Sequence, residues 1–243
     1  MRTNRQDDSE WLKYLASFSD EYDDRLYKNE STGFVMKAGH IACESAFDCT
    51  VHFDKVLEVG SGTGEHFRSV RHSFKEYILT DGDQKTLAIA EMALGNGDSS
   101  RKICYEKMNA SNLNFEDNTF DRVVATHILE HLYEPHLAIK EWMRVLKNNG
   151  TLSILIPTDP GVAWKVGRHL TTRKQAIKRG WSYDYIMARE HVNPCNNLVA
   201  FLNFYLPENT SFFWPLKLLP SIDCNLFYIF HAVKDELTQE LDE

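Results

Sequence analysis

The stretch Val56-Leu57-Glu58-Val59-Gly60-Ser61-Gly62-Thr63-Gly64-Glu65-His66 constrains this chain more than any other part of it. Four strand-forming residues run into three glycines at alternate positions, and a helix is expected over residues 65–72. A strand that hands over to glycines lets backbone N–H groups approach a ligand with no Cβ in the way, which is how nucleotide-like cofactors are held. The dinucleotide pattern G-x-G-x-x-G requires glycine where Glu65 stands, and a carboxylate there opposes a pyrophosphate. The pattern present is E-x-G-x-G-x-G, with Glu58 two residues before Gly60. It suits a cofactor without phosphate whose cationic ends welcome a carboxylate, and S-adenosylmethionine has an ammonium, a sulfonium and a ribose.

The later pieces come in the order such a site needs. Tyr77-Ile78-Leu79-Thr80 reads as a second strand ending in Asp81, 21 residues after Gly60. An acid at that tip accepts both ribose hydroxyls. Residues 103–107 read as a third strand, followed by Asn109-Ala110-Ser111, where the adenine amino group would be met. Residues 120–125 form a fourth strand leading into Thr126-His127-Ile128-Leu129-Glu130-His131-Leu132. Helices are expected at residues 85–94 and 136–146, the latter opened by Pro135 and followed by Gly150. Strand and helix in this alternation imply a parallel sheet with right-handed crossovers. Beyond Pro207, residues 211–214 and 225–233 read as two strands, with the closing one antiparallel.

These motifs, VLEVGSGTGEH, LTDGD, MNASNL, FDRVVATHILEHL and EWMRVLKNNGTLSILIP, resemble those of class I S-adenosylmethionine-dependent methyltransferases. The likeness covers about residues 56–157. It implies a Rossmann-like α/β fold: a seven-stranded sheet, mostly parallel with a C-terminal antiparallel hairpin, and helices on both faces. It also implies cofactor contacts from Glu58, Gly60, Ser61, Gly62, Thr63, Gly64, Asp81, Gly82, Asn109, Ala110, Ser111, Thr126 and His127. One position departs from the family, which usually carries Asp where this chain has Asn109; an amide both donates and accepts. A looser likeness over residues 159–193 points to methyltransferases of bacterial surface-polysaccharide and glycoside biosynthesis.

With 243 residues the chain is expected to form one domain. Residues 1–50 would be a helical arm or lid, 51–157 the cofactor core, 158–206 an acceptor-binding insertion and 207–243 the hairpin. Apolar runs such as Ile154-Leu155-Ile156 fall far short of the roughly 18 residues of a membrane helix. The five cysteines form no C-x-x-C pair, so free thiols in the cytoplasm are expected, with neither disulfides nor a zinc site. A net charge of −8 argues against nucleic acid as a partner.

Residues 158–206 should define the acceptor, because related enzymes share the cofactor half and differ here. Between Gly161 and Gly180 stand Lys165, Arg168, Arg173, Lys174, Lys178 and Arg179 with no acid, a candidate grip for an anionic or sugar-bearing small molecule. The competing reading is a solvated helix whose buried stripe is Val162, Val166 and Leu170. Candidate acceptor contacts are His40, Arg168, His169, Arg173, Tyr183, Glu190, His191 and Asn193; the resemblance also implies an N-terminal arm that lids the cofactor, which would bring Lys28, Asn29 and Gly39-His40 to the site. Asn193 is alternatively the N-cap of a helix over residues 194–205, with Pro194 at its first position.

In-line methyl transfer to an oxygen or nitrogen needs a base only where the acceptor holds its proton tightly, and imidazole is the usual one. His127, at the sheet's carboxyl edge, is the first candidate, and His191 is the second; His40 and His131 are weaker ones. The carboxylates Glu58, Asp81 and Asp83 are accounted for by cofactor or turn, so no metal is expected. Two other classes compete: an NAD(P)-dependent oxidoreductase, opposed by Glu65, and a non-catalytic binding protein on the same fold.

Overall fold

A computed structural model describes residue 8, residues 10–15 and residues 30–235. Seven strands form one sheet: β1 His52–Val59, β2 Ser73–Asp81, β3 Lys102–Lys107, β4 Phe120–Thr126, β5 Leu146–Pro157, β6 Asn209–Trp214 and β7 Phe227–Val233. Their order is β3-β2-β1-β4-β5-β7-β6. Strands β1 to β5 pair in parallel, whereas β7 runs antiparallel to both β5 and β6. The expected mostly parallel sheet with an antiparallel end is therefore present. Its central strands are buried on both faces, which explains runs such as Val123-Val124-Ala125 in place of alternation.

Helices α1 Glu30–Glu44, α2 Gln84–Leu94 and α3 Pro135–Val145 surround this sheet. Helix α3 buries Ala138, Ile139, Trp142 and Val145, one stripe at helical spacing, in the main core beside Leu57, Val123 and Phe230. On another part of the sheet, α1 sets Met36 and Cys43 against Leu155, Phe227 and Ile229. A Cβ on Gly39 would stand 2.7 Å from the Phe227 ring, so glycine is what lets α1 lie this close to β7.

The helix expected over residues 65–72 does not form. After Gly60, Gly62 and Gly64, all at positive φ, the chain makes turns and a single 3-10 turn over Phe67–Ser69 before β2 begins. Backbone in the left-handed region cannot run on into an α-helix, and few residues remain before Ser73.

Four helices fill the segment between β5 and β6: α4 Val162–Leu170, α5 Thr172–Lys178, α6 Tyr183–Glu190 and α7 Cys195–Tyr205. Helix α7 packs Leu198 and Leu202 into the main core. Asn193 is not its N-cap: that position is Pro194, with no side-chain cap. Instead the Asn193 amide donates to the backbone carbonyls of Leu129 and Leu132, tying α7 to the turn after β4. The stripe Val162, Val166 and Leu170 is exposed, because α4 turns Trp164, Gly167 and Arg168 inward instead.

Candidate active site

In the sheet order, β1 and β4 are neighbours at which the chain reverses the direction it travels across the sheet, the place where open α/β folds bind ligands. The glycine turn after β1 and the segment 126–132 after β4 face each other there. His40, Gly60, Ser61, Thr63, Glu65, His66, Thr126 and His127 line a small cleft between them. Gly60, at φ 70°, has no room for a Cβ, which would lie 2.3 Å from Ile128 Cδ1.

Acids frame this turn from behind. Glu58 is buried and accepts from Tyr77 Oη at 2.7 Å, but its Oε1 has no partner. Burial pushes its carboxyl above the ordinary range, as it does for Asp81. Asp81 accepts the backbone N–H of Gly62 at 2.9 Å and that of Asp83 at 2.8 Å, which fixes the carboxylate at the strand tip. Ser61 Oγ is also buried without a partner. Unpaired carboxylate and hydroxyl oxygens around a Cβ-free turn fit a cation with hydroxyls, and they do not fit a pyrophosphate. The cleft as folded holds only about 10 Å3, so a nucleoside-sized ligand has to part its walls. Asn109, Ala110 and Ser111 form a turn beyond β3, where Asn109 Oδ1 accepts the Ser111 N–H at 2.9 Å. Neither they nor Gly82 line the cleft.

His127 occupies the wall between this cleft and a second, larger cavity. It is a non-glycine residue at φ 55°, held by its N–H on Leu155 O at 2.9 Å, a conformation that is rare and that favours functional sites. Its ring meets His40 at 5.5 Å and Phe227 at 5.3 Å, both edge-on. Its Nδ1 lies 3.8 Å from Glu130 Oε1, and its buried Nε2 has no partner. His40 in turn approaches His66 Nδ1 at 3.2 Å; burial, then the charges of His66 and His127, hold its pKa well below the usual value.

The larger cavity measures about 320 Å3. Tyr14 from the N-terminal segment, Val35 and Met36 from α1, and residues of α4, α5 and α6 enclose it. The expected arm and the expected acceptor segment thus share one wall; Phe18, Lys28 and Asn29 of that arm lie outside the described residues. Its polar end joins Glu130, His131, Glu190 and His191 to His127. Glu130 is buried, with Oε1 3.8 Å from His131 Nε2 as well as from His127. Burial raises its carboxyl, but the surrounding imidazoles outweigh that and leave it below the ordinary range. His131 donates from Nδ1 to Glu190 O at 2.8 Å, and Glu190 Oε1 accepts from Tyr14 Oη at 2.5 Å. His191 sits 3.1 Å from Asp159 Oδ2, which also lies 2.9 Å from Arg168 Nη1. Burial lowers the His191 pKa against the pull of Asp159.

Of the acceptor candidates, Arg168, Tyr183, Glu190 and His191 line this cavity, and His40 lines the cleft instead. His169 is exposed and off both walls, Arg173 pairs with Asp184 at 2.8 Å, and Asn193 is spent on backbone carbonyls. Glu130, Asp159 and Trp164 were not anticipated. The only signal for Glu130 is its spacing from His127 and beside His131, an H-x-x-E-H run.

A family model described as a methyltransferase domain matches residues 57–154, the span from β1 through most of β5. Residues 57–154 thus match a methyltransferase domain, carried on the Rossmann-like sheet described above. The chain is 31% identical over 109 residues to a ubiquinone/menaquinone biosynthesis C-methyltransferase, UbiE, of Saccharophagus degradans, covering 44% of each chain. It is 29% identical over 149 residues to a phosphatidylethanolamine N-methyltransferase of Cereibacter sphaeroides, covering 58% of this chain and 68% of that one. The chain spans less than half the length of the UbiE relative. The fold is similar to that of the N-methyltransferase NodS from Bradyrhizobium japonicum in complex with S-adenosylhomocysteine: TM-score 0.56 at 14% identity, covering 88% of this chain and 90% of that one. No described helix is long and apolar enough to cross a membrane.

Proposed function

We propose that the chain transfers a methyl group from S-adenosylmethionine to an oxygen or nitrogen of a small acceptor. The observation that carries this reading is His127, a wall shared by the glycine-turn cleft and the 320 Å3 cavity. Glu58, Ser61 and Asp81 would hold the cofactor, which supplies an activated methyl group when bound. His127 takes the acceptor's proton, and Glu130 beside its Nδ1 orients the ring and stabilises the imidazolium. The walls exclude water and align the acceptor atom, the larger part of the help for a donor already activated. His191, tied to Asp159 and Arg168, positions rather than deprotonates.

The relatives' names mention carbon and nitrogen acceptors, so they do not select the atom; a base at the shared wall favours one that must lose a proton. An anionic or sugar-bearing acceptor, and with it a place in polysaccharide synthesis, draws less support. Arg168 already meets Asp159, and Arg173 meets Asp184. A cytoplasmic setting goes with the five unpaired cysteines.

Thermal unfolding with S-adenosylhomocysteine, NAD or NADP tests the reading. A ligand at 100 times its Kd stabilises by about 2.7 kcal/mol. A rise in Tm with S-adenosylhomocysteine alone supports methyl transfer. A rise with NAD or NADP alone would restore the oxidoreductase class, and cofactor binding without turnover on any acceptor would favour a binding protein.

A further inference from the structure

The larger cavity's chemistry narrows the acceptor. Trp164, Trp181, Tyr14 and Ile186 present mainly carbon surface to it. Tyr14 and Trp181 are held edge to face at 5.1 Å, and Trp164 stands against Phe227 at 5.6 Å. Such walls reward flat apolar rings and leave the hydroxyls of a sugar without partners, at a cost for each one buried. A cavity of about 320 Å3 is at the small end for ligand sites and suits one or two fused rings.

Two polar atoms on its wall are buried and unpartnered: Glu130 Oε2, an acceptor on a side chain 2% exposed, and Trp164 Nε1, a donor. Buried polar atoms without partners are rare and call for a group that completes them. Charge completes the argument. Asp159 offsets Arg168; of the other described carboxylate and Lys or Arg side chains on the wall, Glu130 and Glu190 stand at the polar end and Arg179 is the one cation, so the wall carries no excess of positive charge for an anion.

We propose that this cavity takes an uncharged, largely apolar, ring-bearing acceptor that presents one O–H or N–H to the polar end formed by His127 and Glu130. The inference rests on the methyltransferase reading and specifies its acceptor. An accepting atom on the ligand would meet Trp164 Nε1.

Isothermal titration calorimetry at pH 7.5, with and without S-adenosylhomocysteine, tests this with three probes. They are 2-naphthol, which has the ring and the O–H; 2-methoxynaphthalene, which has the ring alone; and glucose 6-phosphate. We expect 2-naphthol to bind, its methyl ether to bind at least tenfold more weakly, and the sugar phosphate not to bind. Ala176→Leu, which narrows the cavity, should weaken 2-naphthol while leaving the thermal shift with S-adenosylhomocysteine unchanged. Equal binding of the ether, tighter binding of glucose 6-phosphate, or no binding of 2-naphthol in either condition overturns the proposal. If S-adenosylhomocysteine still raises the Tm in those cases, the methyltransferase reading stands without it. Binding of 2-naphthol with no such rise would instead remove the methyltransferase reading and leave the cavity's ligand class in place.

Discussion

Mild acid should destabilise this protein, and the loss should begin while most of its carboxylates are still charged. His72 and His231 are buried, and each has one ring nitrogen, Nε2, with no partner. Protonation places a charge and an unsatisfied N–H in the interior, close to the Arg122 guanidinium that stacks 4.1 Å over the Phe47 ring between them. Burial first, and Arg122 second, bring both pKa values down to about 4. The unfolded chain binds these protons near pH ~6.5, so between that value and about 4 it holds more protons than the native state, and stability falls as pH falls. For each group the loss between pH 7.5 and 5.0 is about 2 kcal/mol, or about 4 kcal/mol together. His40, shifted in the same direction, adds to it. Glu58 and Asp81, whose raised values favour protonation of the native state, offset part of it. A loss of 4 kcal/mol corresponds to a Tm lower by about 8 to 16 degrees for a chain of this size. Differential scanning calorimetry at the two pH values measures it, and His72→Gln with His231→Gln should remove most of the difference. A Tm that moves by less than about 2 degrees, or a double variant that loses as much as the parent, would refute the reasoning.

Other consequences can be checked directly. Asp81→Asn should weaken S-adenosylhomocysteine about 10- to 100-fold by calorimetry, because a charge-assisted hydrogen bond contributes about 1.5–3 kcal/mol. His127→Ala should lower turnover on a good acceptor by about 10²–10⁴, the usual contribution of a positioned base; rates from discontinuous product assays decide it. Glu44→Gln should cost about 3–5 kcal/mol in urea unfolding, since it leaves Arg122, bound to Glu44 at 2.6 Å and fully buried, without its counter-charge. Trp142→Ala should cost about 3–5 kcal/mol in the same assay, as it empties the centre of α3 and frees the Ala110 carbonyl that its Nε1 holds at 2.8 Å.

The first half of the sheet was legible because its signals are local. A strand, a turn with glycines at positive φ and an acid at the next strand tip lie within 30 residues, and each residue type is demanded by backbone geometry or charge at its own position. The helix over residues 65–72 failed for the opposite reason: composition allowed it, but the third glycine's backbone and the nearby start of β2 did not. Helix α4 shows a period that misleads. Val162, Val166 and Leu170 recur every fourth residue, yet the half-buried face is the one with Trp164 and Arg168, because the cavity is on that side.

The larger cavity is a long-range object. Its wall joins positions 14, 35, 130, 164, 181 and 191, and no spacing within any one segment encodes their meeting. Glu130 reads locally as an ordinary acid between two histidines. It becomes a buried, half-satisfied carboxylate because β4 ends at Thr126 and the chain then turns, in a 3-10 turn over Leu129–His131, beneath the C-terminal end of α6 at Glu190 and His191. The same turn sets His127 across both hollows. Since α4 to α6 line the cavity on the far side of His127, the proposed function has acceptor choice follow changes at residues 164, 176 and 186 while cofactor affinity stays with Glu58 and Asp81. Swapping those three side chains ought therefore to change which acceptor binds without moving the S-adenosylhomocysteine isotherm, and a coupled loss of both would show that the two hollows open as one.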